Sequence, residues 1–103
     1  MKPRDPIDRE AALVALLERF YSGELSDGQL LRALRRDVLG LSQTRYASLV
    51  GISRRTLSDL EGDKGNVTLE VKNRVFRPLG LEVSLMPRKR RLLAQVRGLV
   101  EDA

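Results

Sequence analysis

The chain contains neither cysteine nor histidine. Without cysteine there is no disulfide framework, so nothing in the composition points to secretion. The two absences together exclude zinc sites built from these residue types, and they exclude Cys–His and Ser–His–Asp catalytic arrangements. The remaining Ser, Lys and carboxylate groups show no spacing typical of a nucleophile with its base. We therefore expect no metal site, no cofactor, no catalytic residue and no enzymatic activity.

Long apolar runs are also missing. The longest uninterrupted one, Ala11–Leu17, is too short to span a bilayer. The N-terminus lacks the basic flank, apolar stretch and small-residue cleavage site of a signal peptide. The sequence thus predicts a cytoplasmic protein of bacterial type with no membrane partner.

Aromatic residues make up only 4% of the chain, and both phenylalanines fit core positions. Stacking platforms for single-stranded RNA are therefore missing, which disfavours RNA binding. Charged residues are plentiful, and the formal net charge of +5 favours a polyanionic partner, nucleic acid ahead of a membrane surface. Charge alone is equally compatible with a soluble protein that is merely basic.

The apolar periodicity predicts a mainly helical chain. A first helix, Pro6–Tyr21, is expected to have Asp5 as its N-cap and to touch two surfaces. A second should open at the capping-box pair Ser26 and Gln29 and run to about Val38. Its predicted inner face comprises Leu30, Leu31, Leu34 and Val38, and its predicted outer parts comprise Arg32, Arg35 and Arg36.

Three further helices are predicted in the middle of the chain. Two are short, Gln43–Val50 and Arg54–Glu61, each preceded by a capping serine, Ser42 or Ser53. The third, about Thr68 to Pro78, must stop at Pro78 and Gly80. Its expected buried residues are Leu69, Val75, Phe76 and Leu79.

The C-terminal part combines a predicted strand with a helix. Leu81–Leu85 alternates apolar and polar residues, as a half-buried strand does. Because no other segment fits as its partner, we expect residues 81–86 to pair with the same strand of a second chain. The following helix starts at the basic run Arg88–Arg91, which either contacts DNA backbone or is an ordinary solvated helix start. Its apolar face comprises Leu92, Leu93, Val96, Leu99 and Val100, and, like the N-terminal helix, it could instead complete the chain's own core.

Residues 41–61 carry the most specific pattern, LSQTRYASLVGISRRTLSDLE. Two short helices that pack closely need a small residue at their approach, which Ala47 supplies, and a tight turn, which Gly51 permits. They also need an apolar wedge, for which the candidates are Tyr46, Leu49, Val50, Ile52, Leu57 and Leu60. Such a pair cannot fold alone, so flanking helices must complete its core.

In this stretch the sequence resembles the Cro/repressor class of helix-turn-helix proteins, the Xre family. The resemblance covers about residues 26–81 and depends on the Leu-Ser-Gln start and on Ala47, Gly51, Ile52-Ser53, Leu57, Leu60 and Glu61-Gly62 at the family spacing. It implies that Arg54–Glu61 is the recognition helix in the major groove of DNA.

The resemblance also implies a set of DNA-contacting residues. Arg54 and Arg55 hold the positions of base readers, and arginine can offer two donors to guanine. Gln43 corresponds to a glutamine that contacts phosphate, at a helix start that itself suits an anion. The full candidate site is Gln43, Thr44, Ser53, Arg54, Arg55, Thr56, Ser58, Asp59 and Lys64, with Asn66 and Lys72 as weaker candidates.

Two acidic residues of this helix need separate interpretations. In the family the acid at Glu61 pairs with an arginine on the earlier helix, and we expect Arg36 to be that partner. Asp59 is either a base reader that accepts from cytosine or a group that rejects wrong sites.

The predicted fold is mainly all-α. It has a five-helix Cro/repressor-like helix-turn-helix core with an extra N-terminal helix, one short C-terminal strand and a C-terminal helix. The predicted parts are residues 1–25 as the N-terminal helix, 26–80 as the DNA-binding domain, and 81–103 as a strand plus basic helix for dimerisation.

The predicted function is sequence-specific regulation of transcription, with repression as the default. A homodimer would bind a pseudo-palindromic operator in double-stranded DNA, and the protein would be located at the nucleoid when it is bound to DNA. The alternative is an antitoxin that binds a toxin protein and autoregulates its operon, since the helix-turn-helix followed by LEVSL resembles antitoxins of the HipB type. A third hypothesis, from a different class of function, is a module that only binds other proteins.

Overall fold

The computed structural model describes residues 6–101, with side chains over residues 8–97. Across this range the protein is all-α, as predicted. Its six α-helices are α1 (Pro6–Tyr21), α2 (Asp27–Ala33), α3 (Gln43–Val50), α4 (Arg54–Glu61), α5 (Leu69–Phe76) and α6 (Arg90–Glu101). A π-helical segment, Leu34–Leu39, continues α2, and a 3-10 turn, Arg77–Leu79, continues α5. The predicted N-cap Asp5 lies outside the described residues.

The core lies between α2 with its π-helical extension, α3, α4 and α5. Its buried hydrophobic members are Leu30, Leu31, Leu34, Val38, Tyr46, Ala47, Val50, Leu57, Leu60, Val75, Phe76 and Leu79. The predicted inner face of the second helix is confirmed in full. Two core predictions are wrong, because Leu49 is 65% exposed and Leu69 is 61% exposed. Helix α1 packs against the core with side chains that stay half-buried, which are Ala12, Leu13, Leu16, Leu17 and Phe20.

The predicted caps that lie within the described residues form, since Ser26, Ser42 and Ser53 each accept from a backbone N–H of the helix that they begin. Ser26 accepts from the backbone N–H of Gln29 at 3.1 Å, and the Gln29 side chain accepts from the Ser26 N–H at 2.9 Å, which completes a capping box. Thr68 caps α5 in the same way that serines cap the two shorter helices before it. The chain ends the 3-10 turn at Gly80, whose φ of +80° is accessible to glycine without strain.

The predicted strand at Leu81–Leu85 does not form within the single chain, and no strand forms anywhere in residues 6–101. The segment is irregular, and its hydrogen bonds to the rest of the domain lie near its start. The Leu81 N–H donates to the Phe76 carbonyl, and the Val83 N–H donates to the Asn73 side-chain oxygen. A single chain offers it no neighbouring strand, so a ladder of backbone hydrogen bonds cannot form.

The helix count of the predicted fold also needs correction. Five helices precede residue 80 in the described chain, and α1 is the first of them. Helix α1 is therefore part of the five and not an addition to them. None of the helices within residues 6–101 combines the length and the apolar character needed to cross a bilayer.

Tyr46 links α3 to α5 inside the core. Its side chain is 1% exposed, and its hydroxyl donates to the Val75 carbonyl at 2.5 Å. Burial raises the pKa of this phenol to about 12, because the charged form would lose its hydration. The ring thus fixes α3 against α5 while its one polar atom is hydrogen-bonded.

Gly28 allows the start of α2 to approach the end of α4. A methyl group at this position would lie 2.4 Å from the Leu60 carbonyl oxygen and 2.6 Å from that of Glu61. Because both obstacles are backbone atoms, neither can rotate away. Glycine is therefore required here by close packing of the two helices.

Replacing Gly28 by alanine should lower the free energy of unfolding by about 1–3 kcal/mol, the usual cost of overpacking a core. Gly62→Ala is the matched control, because a methyl group there meets its nearest atom, the Ser58 carbonyl oxygen, at an ordinary 3.4 Å. Urea unfolding followed by circular dichroism measures both variants. Equal stabilities would contradict the close approach of α2 and α4.

Candidate nucleic-acid interface

Helices α3 and α4 are joined by a three-residue turn, Gly51–Ser53. Gly51 ends α3 with φ of +74°, and its N–H donates within the last turn of that helix. Ser53 then begins α4, accepting from the Thr56 N–H at 3.0 Å. The left-handed glycine reverses the chain, and the serine cap restarts it as a helix at once.

Helix α4 has one buried side and one exposed side. Leu57 is completely buried, and Leu60 and Glu61 are nearly so. Arg54 and Arg55 are exposed in its first turn, and neither forms an ion pair with any residue in the described part of the chain. The exposed side is therefore a polar, positively charged surface whose guanidinium groups are available to a partner.

A buried ion pair fixes the end of α4. Arg35 Nε donates to Glu61 Oε2 at 2.6 Å, and Arg35 Nη2 donates to Glu61 Oε1 at 2.9 Å. Arg35 Nη1 donates to the Leu41 carbonyl at 2.7 Å, and Gln43 Nε2 donates to Glu61 Oε1 at 2.9 Å. This network, which we call the Arg35–Glu61 network, connects the π-helical segment, the start of α3 and the end of α4.

The expected Arg36–Glu61 pair is thus wrong by one residue. Arg36 is exposed and pairs with its neighbour Asp37 at 2.9 Å, a hydrogen bond that raises the pKa of the Arg36 guanidinium above its ordinary value. Arg35 was expected on the outer side of its helix and is instead 6% exposed. It lies four residues after Leu31 and next to Leu34, on the buried stripe.

Asp63 forms a second connection between α4 and α2. Its carboxylate accepts from the Gly28 N–H at 2.9 Å and from the Ser26 hydroxyl at 2.5 Å. It therefore caps the N-terminus of α2 from outside that helix, where a carboxylate also suits the helix dipole. Asp63 holds a φ of +57°, which few residues other than glycine adopt. The Asp63 carboxylate thus has a structural role, because it connects the loop after α4 to the start of α2.

Comparison with known protein families gives one match. The family model described as Helix-turn-helix (HTH_3) matches residues 31–84, more than half of the chain. The chain belongs to this helix-turn-helix family. The family is of the Cro/C1 type, binds DNA and is not enzymatic, in agreement with the sequence analysis. No curated protein and no solved structure matches the chain significantly.

In this helix-turn-helix domain the candidate site residues fall into two groups. Thr44, Arg54, Arg55, Ser58 and Lys64 are exposed, while Gln43, Thr56 and Asp59 are half-buried. Ser53 is exposed, but its hydroxyl lies 2.8 Å from that of Thr56, so these two groups hydrogen-bond each other. The amide of Gln43 is already committed to Glu61.

Two structurally important residues were missed by the sequence analysis. Arg35 could have been found, because residues 31, 34, 35 and 38 recur at the spacing of one helix face. Asp63 carries no comparable signal, since its partners Ser26 and Gly28 lie more than thirty residues away.

Removing Arg35 should destabilise the domain strongly. Arg35→Ala leaves Glu61 buried without its cation, and such a broken pair costs about 3–5 kcal/mol in the free energy of unfolding. Arg36→Ala is the matched control, because its pair with Asp37 is exposed and its loss should change little. Chemical unfolding of the two variants decides between the partners. A larger loss for Arg36→Ala would contradict the network.

Proposed function

We propose that this helix-turn-helix protein is a sequence-specific regulator of transcription that acts in the cytoplasm. The observation that carries the proposal is the exposed side of α4. Arg54 and Arg55 have no acidic partner among the described residues, and the end of the helix is held by the Arg35–Glu61 network. The width of the DNA major groove, about 12 Å, matches the diameter of such a helix.

The position of the two arginines supports a polyanionic partner. Positive side chains in the first turn of a helix are unfavourable by about 0.3–1 kcal/mol, because the N-terminus carries partial positive charge. Helix α4 has two arginines and no acid in that turn. They do not stabilise the helix, so a role in binding explains them better than a role in folding.

The contacts are divided by exposure. We assign base reading to Arg54 and Arg55 and contacts to phosphates or bases to Thr44, Ser58 and Lys64. Ser53 and Thr56 bind one another and act mainly in capping. Gln43 can donate to a phosphate only with the amide N–H that Glu61 leaves open. Asp59 lies half-buried beside this face, where it can accept from cytosine or repel a mismatched site.

The base-reading role of Arg54 and Arg55 can be tested directly. The full chain selects binding sequences from a random duplex library, and Arg54→Ala and Arg55→Ala are then compared on the selected duplex. Each should lose about 1–3 kcal/mol of discrimination at its own base position. Arg19→Ala, which removes an exposed charge paired with Glu24 on α1, is the control.

Circular dichroism of the variants shows whether folding is intact, as expected for exposed residues. Unchanged discrimination in both arginine variants would overturn the assignment of α4 as the reading element. Failure of the unmodified chain to enrich any sequence would overturn the regulator function itself.

We further propose that the protein acts as a homodimer through residues 81–103, with repression by promoter occupancy. The segment after the 3-10 turn leaves Leu85 99% exposed and Val83 40% exposed. Leu92 and Val96 of α6 are also partly exposed. A second copy would cover this apolar surface and supply the missing strand partner for residues 81–86, and a dimer places two recognition helices about 34 Å apart on a pseudo-palindrome.

The dimer predicts a specific effect of charge at Leu85. By sedimentation at micromolar concentration the unmodified chain should have twice the mass of one chain, and Leu85→Asp should shift it toward the monomer. Leu49→Asp is the matched control, since it introduces the same charge at an exposed leucine on α3. A monomeric unmodified chain would contradict the dimer.

The alternative of an antitoxin would use the same apolar surface for a toxin protein. The resemblance to antitoxins depended on the predicted strand, which does not form within the single chain. The observation that favours an antitoxin is therefore the exposure of Leu85 and Val96. A protein that co-purifies at fixed stoichiometry and protects these side chains would support it over the homodimer.

A further inference from the structure

A concavity of about 440 Å³ lies beside the recognition helix. Its lining residues come from α2, the π-helical segment, α3, α4 and the loop after α4, and they are Arg32, Arg35, Gln43, Ser58, Asp59, Glu61, Gly62 and Lys64. One wall is therefore a flank of the helix to which we assign base reading, and the opposite wall includes Arg32.

The charges in this concavity favour an anion. Arg35 and Glu61 neutralise each other at its base through two hydrogen bonds. Arg32 and Lys64 are exposed, and neither forms an ion pair with a residue in the range that the structure covers. Against these two cations stands one carboxylate, that of Asp59, so the concavity keeps a net positive charge.

Geometry identifies the anion. A helix of about 10–12 Å diameter fills a major groove of about 12 Å width, so the two phosphate backbones must flank it on either side. A concavity beside the last turn of α4, lined there by Ser58, Asp59 and Glu61, is where one of these backbones would pass. We propose that it holds a backbone phosphate of the bound duplex, and that Arg32 of α2 is the principal contact to it.

This proposal depends on the function proposed above and adds a residue that the candidate site did not contain. Arg32 would hold the duplex from outside the helix-turn-helix pair, with Lys64 on the other side of the same phosphate. Such contacts carry no sequence information but fix the register of the protein on DNA. Arg32 should thus affect affinity without affecting which sequence is preferred.

The salt dependence of binding tests the contact. On the duplex selected by the full chain, Arg32→Ala should reduce the slope of log affinity against log salt by about 0.9, the value for one phosphate. Arg19→Ala removes the same charge from α1, which does not line the concavity, and should leave the slope unchanged. Arg32→Lys, which keeps the charge, should restore most of the slope.

A chemical cycle then identifies the phosphate. Methylphosphonate groups replace single backbone phosphates of the selected duplex in turn. At one position the substitution should weaken the unmodified chain clearly more than it weakens Arg32→Ala, because that variant has already lost the arginine contact and keeps only the contact of Lys64.

The outcomes separate the two proposals. If the unmodified chain selects a duplex but Arg32→Ala keeps its full slope, or responds to every methylphosphonate as the unmodified chain does, the phosphate contact is overturned and the regulator function stands. If the chain selects no duplex, both fall together. A changed sequence preference in Arg32→Ala would also overturn the assignment, because it would make Arg32 a base reader.

Discussion

The buried ion pair between Arg35 and Glu61 is the interaction on which the arrangement of this domain depends. A guanidinium with all three nitrogens hydrogen-bonded and a carboxylate that receives three donors can be buried together, whereas either one alone could not. Because its partners come from the π-helical segment, the start of α3 and the end of α4, the pair determines how α4 lies against the rest of the domain.

Two other contacts hold α4 in place. Gly28 lets the start of α2 pack against the backbone carbonyl groups at the end of α4, and Asp63, in the loop after α4, caps the N-terminus of α2. The end of α4 is thus held by charge, by close backbone contact and by capping. Its first turn is capped by Ser53 but forms no ion pair within the described residues, and it presents Arg54 and Arg55 to solvent. One end of α4 is thus held against the other helices, while the charged side chains at its other end are exposed.

The chain separates two kinds of surface. Around α4 and the start of α3 the exposed groups are hydroxyls, amides and guanidinium groups, which are matched to phosphates and base edges. Beyond residue 80 the exposed groups include the apolar side chains of Val83, Leu85 and Val96. The DNA contacts and the homodimer that we propose would therefore use separate surfaces of the same fold, and mutations can address each independently.

Local signals in the sequence determined the helices, their caps and most of the core, because hydrophobic periodicity, serine caps and left-handed glycines act within a few residues. The motif at residues 41–61 likewise determined the family. The helix periodicity places Arg35, and not Arg36, on the buried face, but only the tertiary structure brings its guanidinium to Glu61, 26 residues further along the chain. The tertiary structure also decided that Asp63 caps a helix far away in sequence, that Leu49 and Leu69 stay exposed, and that residues 81–86 find no strand partner within the chain. Each of these depends on which surfaces meet across the fold, and no local pattern encodes that.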